Sequence, residues 1–160
     1  MTWPPDVERV AAFLRASGAE ARIEEHAQPT PTAGAAADAV GCTLGQIVES
    51  LVLLCDAAPA VVLAPADRRV DTGKVARVTG ARRVAVATAD QVVALTGWQP
   101  GAVAPFPLAG VGEVLVERTL LRHRRVWAGG GSTSHLVALA PTELIRLTQG
   151  RSVDVVLDRG

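Results

Sequence analysis

Two cysteines, three histidines and a single lysine are all this 160-residue chain has of the side chains that most often bind metals or carry covalent catalysis. Cys42 and Cys55 fit no zinc or redox spacing and read as two buried thiols of an intracellular protein. His26, His123 and His135 lie far apart and form no paired-ligand motif, so neither a metal nor another cofactor is expected. No GxSxG turn presents a serine nucleophile, and no histidine stands in an evident triad context. The run GGGSTS at 129–134 lacks the lysine of a phosphate-binding loop and leads into an extended segment, not a helix. Nor is there an excess of charge: 16 basic residues balance 16 acidic ones, which removes any global electrostatic case for nucleic-acid binding but leaves room for a local patch. Lys74 is the only lysine in an arginine-, alanine- and valine-rich chain, so arginine in place of lysine carries little information. No apolar run reaches the ~20 residues of a bilayer span. The opening MTWPPDVERV has neither the basic nor the apolar region of a secretory signal, and the expectation is a cytoplasmic protein.

What is present is a chain 49% hydrophobic and 20% charged, the balance of a globular domain, with a length suited to one core. Pro4 and Pro5 open a helix near 5–17 with Val7, Val10, Ala11 and Leu14 on one face, and EARIEEH at 20–26 suits an edge strand. Thr30 or Thr32 can cap an alanine-rich helix at 33–40 that ends at Gly41. Strands at 46–55 and 61–64 read as an antiparallel hairpin. A helix at 72–79 follows Asp71, a short strand is expected at 82–87, and Thr88 with Gln91 forms a capping box for a helix at 89–96. Residues 98–112 are a long Gly/Pro loop, of the kind that is usually functional or mobile. A strand at 114–117, a helical turn near 119–121, a hairpin of 126–128 with 135–140 around the glycines, a helix at 141–148 closed by Gly150 and a strand at 153–156 complete the chain. The fold class is α+β: one domain, a mixed and largely antiparallel central sheet, and helices around it.

Within this frame Gly41–Cys55, GCTLGQIVESLVLLC, is the most informative stretch. A run this apolar reads as a strand buried on both faces, yet Glu49 sits in the middle of it. A carboxylate there marks either the wall of a pocket or a solvent-facing edge, because an unpaired buried charge costs several kcal/mol, roughly. The glycines of 129–131 are open to two readings as well, a plain turn or bare backbone that a ligand approaches closely.

The ordered set GQIVESLVLL (45–54), DRRVDTGKVARVTGA (67–81), LTGWQPGAVAPF (95–106), VERTLL (116–121), VWAGGG (126–131) and LAPTELIRLTQG (139–150) resembles the YbaK/ProX family, relatives of the editing domain of bacterial prolyl-tRNA synthetases. Gly101–Pro105 fits that family's GxxxP loop beside Thr96-Gly97 and Phe106. The resemblance implies a single domain of the editing type over 1–160 that hydrolyses the ester linking a wrong amino acid to tRNA. Such a second hydrolytic site is needed because one methylene yields only ~1–3 kcal/mol of discrimination in a binding pocket. It further implies no metal and no enzymic nucleophile, water being positioned by backbone groups of the glycine loops, a strand lysine and the ribose hydroxyl of the terminal adenosine. Catalytic positions carried over are Glu49, Gly101 and Gly129; the substrate-binding set is His26, Thr30, Ser50, Ala102, Val103, Pro105, Phe106, Glu117, Gly130 and Gly131. The implied partner is the acceptor end of an aminoacyl-tRNA, with a synthetase as a further candidate, no membrane, and a monomer or homodimer.

The chain departs from the family pattern at its centre. Relatives read IVKSLVF where this sequence has Ile47-Val48-Glu49-Ser50-Leu51-Val52-Leu53, so a carboxylate replaces a lysine and repels phosphate where a lysine attracts it. Glu117 stands where relatives carry aspartate. Two functions follow: an active deacylase in which arginines or Lys74 supply the missing charge, or an editing-type fold with lost or altered catalysis that binds aminoacyl-tRNA or a small aminoacyl ligand.

Overall fold

Helix starts are set by local chemistry. Proline at a first helical position sacrifices no intrahelical hydrogen bond, and α1 (Pro5–Ala16) begins there and buries Val7, Val10, Ala11 and Leu14 along one stripe. The computed structural model describes residues 3–159. Thr32 Oγ1 accepts from the Ala35 amide at 3.1 Å to open α2 (Ala33–Val40), and Gly41 ends it in the left-handed region. Asp71 caps α3 (Thr72–Thr79), the reciprocal Thr88–Gln91 box caps α4 (Ala89–Thr96), and Pro141 begins α5 (Pro141–Thr148). Helix α5 ends where expected, with Gln149 in the left-handed conformation at φ 54 and the Gly150 amide donating to the Ile145 carbonyl. Gly150 also answers a demand for space: a Cβ there would stand 2.9 Å from Val116 Cγ2.

Strands β1 (Ala21–Glu25), β6 (Val126–Ser132) and β7 (His135–Leu139) form an antiparallel sheet in the order β1-β7-β6, with β1 on its edge as its polarity suggested. A mixed five-stranded sheet holds β2 (Val48–Cys55), β3 (Ala58–Pro65), β4 (Val84–Val86), β5 (Glu113–Glu117) and β8 (Arg151–Val153) in the order β4-β2-β3-β5-β8. The hairpin β2–β3 is antiparallel, and β5 and β8 join in parallel beyond β3. The last strand sits earlier than expected; Val156 forms only an isolated bridge, to Val70. The glycine run is placed differently too. Gly129–Gly131 lie inside β6, where a bulge between Gly129 and Ser132 shifts the register against β7, and Thr133-Ser134 alone turn the hairpin.

Strand alternation explains the layering. On β3, Val61 and Leu63 enter the main core with Val10, Leu14, Trp98 and Phe106, while Ala60, Val62 and Ala64 face a second cluster with Val75 of α3 and Leu115. Both faces of β3 are covered, so its run is continuously apolar. A third cluster packs Ala36 and Ala37 of α2 on Ile47, Trp127, Leu136 and Ala138. The long loop after α4 is pinned by two buried aromatics. Trp98 donates from Nε1 to the Pro107 carbonyl at 3.1 Å beneath the Arg9 guanidinium, and Phe106 stacks on Phe13 at 5.3 Å between ring centres. Between these anchors Gly101–Val103 is carried to the junction of the two sheets, where it borders a cavity.

Candidate functional site

The two sheets meet at one parallel bridge, Ile47 with Trp127, and β4 does not pair with β2 until Leu53. Between these points Val48–Ser50 leave one backbone edge of β2 without a strand partner among the described residues, and a cavity of about 490 Å³ opens there. Its walls are Val48, Glu49 and Ser50, the loop Gly101–Val103, the hairpin residues Trp127–Gly129 and Gly131–Thr133, and Thr30–Ala33 leading into α2. A site of this size, largely apolar with bare peptide groups at its rim, suits a small ligand attached to a larger body.

The glycines of the cavity wall differ in their surroundings. A Cβ on Gly129 would lie 3.5 Å from the Val103 carbonyl oxygen, so the loop is seated directly on β6. Gly101 has φ 80, a conformation that favours glycine, and borders the cavity with nothing within 4 Å of its Cβ position. Gly131, at φ 98, backs onto the first turn of α1, with Asp6 O where a Cβ would stand.

Glu49 reaches the cavity from β2 as an exposed residue, and its carboxylate makes no hydrogen bond or ion pair among the described residues. Partial burial raises its pKa above the ordinary 4.5. The folded protein therefore holds the Glu49 proton more tightly than the unfolded chain does. Folding stability is full below pH 4.5 and falls as pH rises through the raised value. Glu49→Gln should accordingly raise Tm slightly at pH 7, because the amide carries no charge to desolvate. Near pH 3.5 the variant and the parent should melt together, and thermal unfolding followed by circular dichroism at both pH values checks this.

Of the residues carried over from the resemblance, Thr30, Glu49, Ser50, Gly101, Ala102, Val103, Gly129 and Gly131 border this cavity. Five do not. Phe106 and Pro105 are buried in the core as anchors of the loop, and Gly130 backs onto the His135 carbonyl, 2.8 Å from where its Cβ would be. Glu117 is fully buried under β8, where Oε1 accepts from the Val155 amide at 3.0 Å and Oε2 from the Thr119 amide at 2.7 Å. His26 lies at the end of β1, its backbone amide donating to Ser134. Lys74 cannot stand in for the missing lysine: its ammonium donates to Asp154, Asp158 and the Val156 carbonyl, which ties α3 to the C-terminal segment. The cysteines differ from each other, Cys55 being buried and Cys42 only half-buried.

Sequence reasoning missed the opposite wall. Pro31, Thr32, Ala33, Ala36, Trp127, Ser132 and Leu136 all border the cavity, and the capped start of α2 after QPTPT was the available signal. It also missed a side-chain chain at the hairpin. Ser132 Oγ lies 2.6 Å from His135 Nδ1 and accepts from the Ser134 amide, and His135 Nε2 lies 3.3 Å from Glu25 Oε2. Glu25 and His135 are direct cross-strand partners, so the chain fastens the hairpin tip to β1 and fixes the Ser132 hydroxyl at the cavity wall. No group of three metal-binding side chains occurs among the described residues.

The family model for the aminoacyl-tRNA editing domain matches residues 27–147, a span that contains every wall of the cavity. The chain belongs to the aminoacyl-tRNA editing domain family. Its fold matches the crystal structure of a candidate trans-editing enzyme for prolyl-tRNA synthetase with a TM-score of 0.91 at 32% identity, over 98% of this chain and 100% of the other. It is 29% identical over 123 residues to YwhH of Bacillus subtilis, a protein of uncharacterised function, covering 76% of this chain and 78% of YwhH. The same identity over 112 residues relates 69% of it to proline–tRNA ligase 1 of Bacillus cereus, of which that match spans 20%. The editing fold thus occurs both as a part of a synthetase and as a chain of this length. No helix among the described residues of this editing domain is long and apolar enough to cross a membrane.

Proposed function

We propose that this editing domain is a trans-acting aminoacyl-tRNA deacylase: water attacks the ester carbonyl of a mischarged tRNA, and the free amino acid and the tRNA 3′-terminal hydroxyl leave. The observation that carries the reading is the junction cavity, where the unpaired edge of β2 and the bare peptide groups of Gly101 and Gly129 converge in a member of the editing family. Fixed peptide dipoles around a reacting ester stabilise the charge that develops on its carbonyl oxygen without reorganising during the reaction. Glycine at both positions keeps side chains out of that approach.

Positive charge for the tRNA backbone is available close by. Arg122, Arg124 and Arg125 are exposed, form no ion pair among the described residues, and lie on the segment leading into Trp127 at the cavity wall. The Arg125 carbonyl accepts from Gln46 Nε2 at 3.2 Å, which brings this segment beside the start of β2. Three exposed arginines within four residues support phosphate contacts in a chain of zero net charge. The second reading, a binding module with lost or altered catalysis, is favoured by the carboxylate of Glu49 at the cavity wall, where the resemblance to the YbaK/ProX family implies a lysine.

The test is hydrolysis of alanine, cysteine, serine and threonine mischarged on several tRNAs, with release of free amino acid followed over time. Turnover of at least one member is expected, and its absence across the panel would remove the deacylase reading. Gly101→Ala should lower turnover by about a hundredfold, the cost of disturbing one oxyanion-type donor being ~3 kcal/mol. Its stability should fall by only ~1 kcal/mol, the penalty of a left-handed alanine. Equal losses in turnover and stability would return the loop to a structural role.

A further inference from the structure

Glu49 is the single charged side chain among the described residues that border the cavity; the others are apolar residues, glycines and hydroxyl-bearing Ser and Thr. It has no cationic partner among the described residues, and the walls around it withdraw part of its hydration. A lone carboxylate on such a wall favours a ligand that brings its own positive charge and disfavours one that brings phosphate. We propose that Glu49 binds the free α-ammonium of the aminoacyl group, so that the site takes aminoacyl esters with an unblocked amine and rejects N-acylated ones.

This rests on the aminoacyl-ester reading and deepens it. An aminoacyl ester has its ammonium on the carbon next to the carbonyl that is to be attacked. Fixing that nitrogen at the edge of β2 leaves the carbonyl short of freedom and turned across the cavity toward Gly101 and Gly129 on the other walls. The replacement of lysine then changes what position 49 recognises: the acceptor-end phosphates are left to groups outside the cavity, and position 49 reads the amino acid. Chains whose nitrogen is already in a peptide or formyl linkage offer no cation there. The anchor therefore separates aminoacyl-tRNA from peptidyl-tRNA without any contact to the side chain. Glu49 is a specificity and positioning residue on this account, since it touches the substrate away from the bond that breaks.

The experiment uses the full chain and a non-hydrolysable probe, adenosine carrying L-alanine in amide linkage at its 3′ position, with and without an N-acetyl cap. Isothermal titration should give the uncapped probe at least about tenfold tighter binding, the worth of one charge-assisted contact. Glu49→Gln should abolish that preference by weakening the uncapped probe alone. Equal binding of the two probes to the parent protein would overturn the proposal, as would a preference that survives in Glu49→Gln. The parent comparison needs no variant, so it decides even where the substitution disturbs folding. The outcome is separable from the deacylase reading: an amine preference without turnover of any mischarged tRNA leaves the anchor and removes the enzyme. Turnover without the preference does the reverse.

Discussion

Glu117→Leu should be among the most destabilising single changes in the chain, lowering stability by about 3 kcal/mol through one buried and one part-buried amide left without acceptors. The Val155 and Thr119 N–H groups belong to the backbone and stay where they are when the carboxylate goes. Relief from burying a carboxylate offsets part of the loss, yet removing one side of a buried polar arrangement is the costly case. For a domain of this size that corresponds to roughly 6–12 °C in Tm, measured by calorimetry. Glu117→Gln keeps one carbonyl acceptor and should fall between the two. Turnover per folded molecule should be unchanged in Glu117→Gln, because the residue lies under β8 and does not border the cavity. A variant with parental stability and lost turnover would restore Glu117 to the substrate.

Gly131→Ala is expected to cost about 3 kcal/mol as well, for a different reason, combining a strained left-handed residue with overpacking. At φ 98 an added Cβ would stand 2.6 Å from Asp6 O and 2.9 Å from Val7 N. These are backbone atoms of the first turn of α1, which cannot rotate aside as a side chain could. Moving α1 would disturb Val7 and Val10, both fully buried. Gly101→Ala is the matched control: it too has positive φ, at 80, but nothing lies within 4 Å of its Cβ position. Thermal unfolding of the two variants side by side should show a loss at 131 several times the loss at 101. Similar losses would mean that α1 yields to the methyl group.

Features that depend on near neighbours in the chain were legible from the sequence. Thr32, Asp71 and the Thr88–Gln91 pair cap helices where their spacing indicates, and the apolar run on each side of Asp56 forms the expected hairpin. The family motifs located most of one side of the cavity as well. Failures came where the decisive partner is remote. Gly129–Gly131 look like a turn in isolation, and only the bulged pairing with β7 and the approach of Asp6 make them strand residues. Glu117 and Phe106 belong to conspicuous motifs but serve the core, because a motif records which residues recur and not which way they point. The split into two sheets hangs on one bridge between Ile47 and Trp127, which no local pattern announces.

That bridge separates two tasks. Beyond it, one side of the opening is peptide backbone, held by glycines and by the buried ends of the long loop. The other side is apolar side chains, with Ala36 of α2 packed in one cluster with Ile47, Trp127 and Leu136. On the proposed deacylase reading, a methylene added or removed in that cluster resizes the space for an amino acid side chain and leaves every peptide dipole where it was. Reaction chemistry and choice of amino acid would then be written on opposite banks of the same seam, each open to change without redrafting the other.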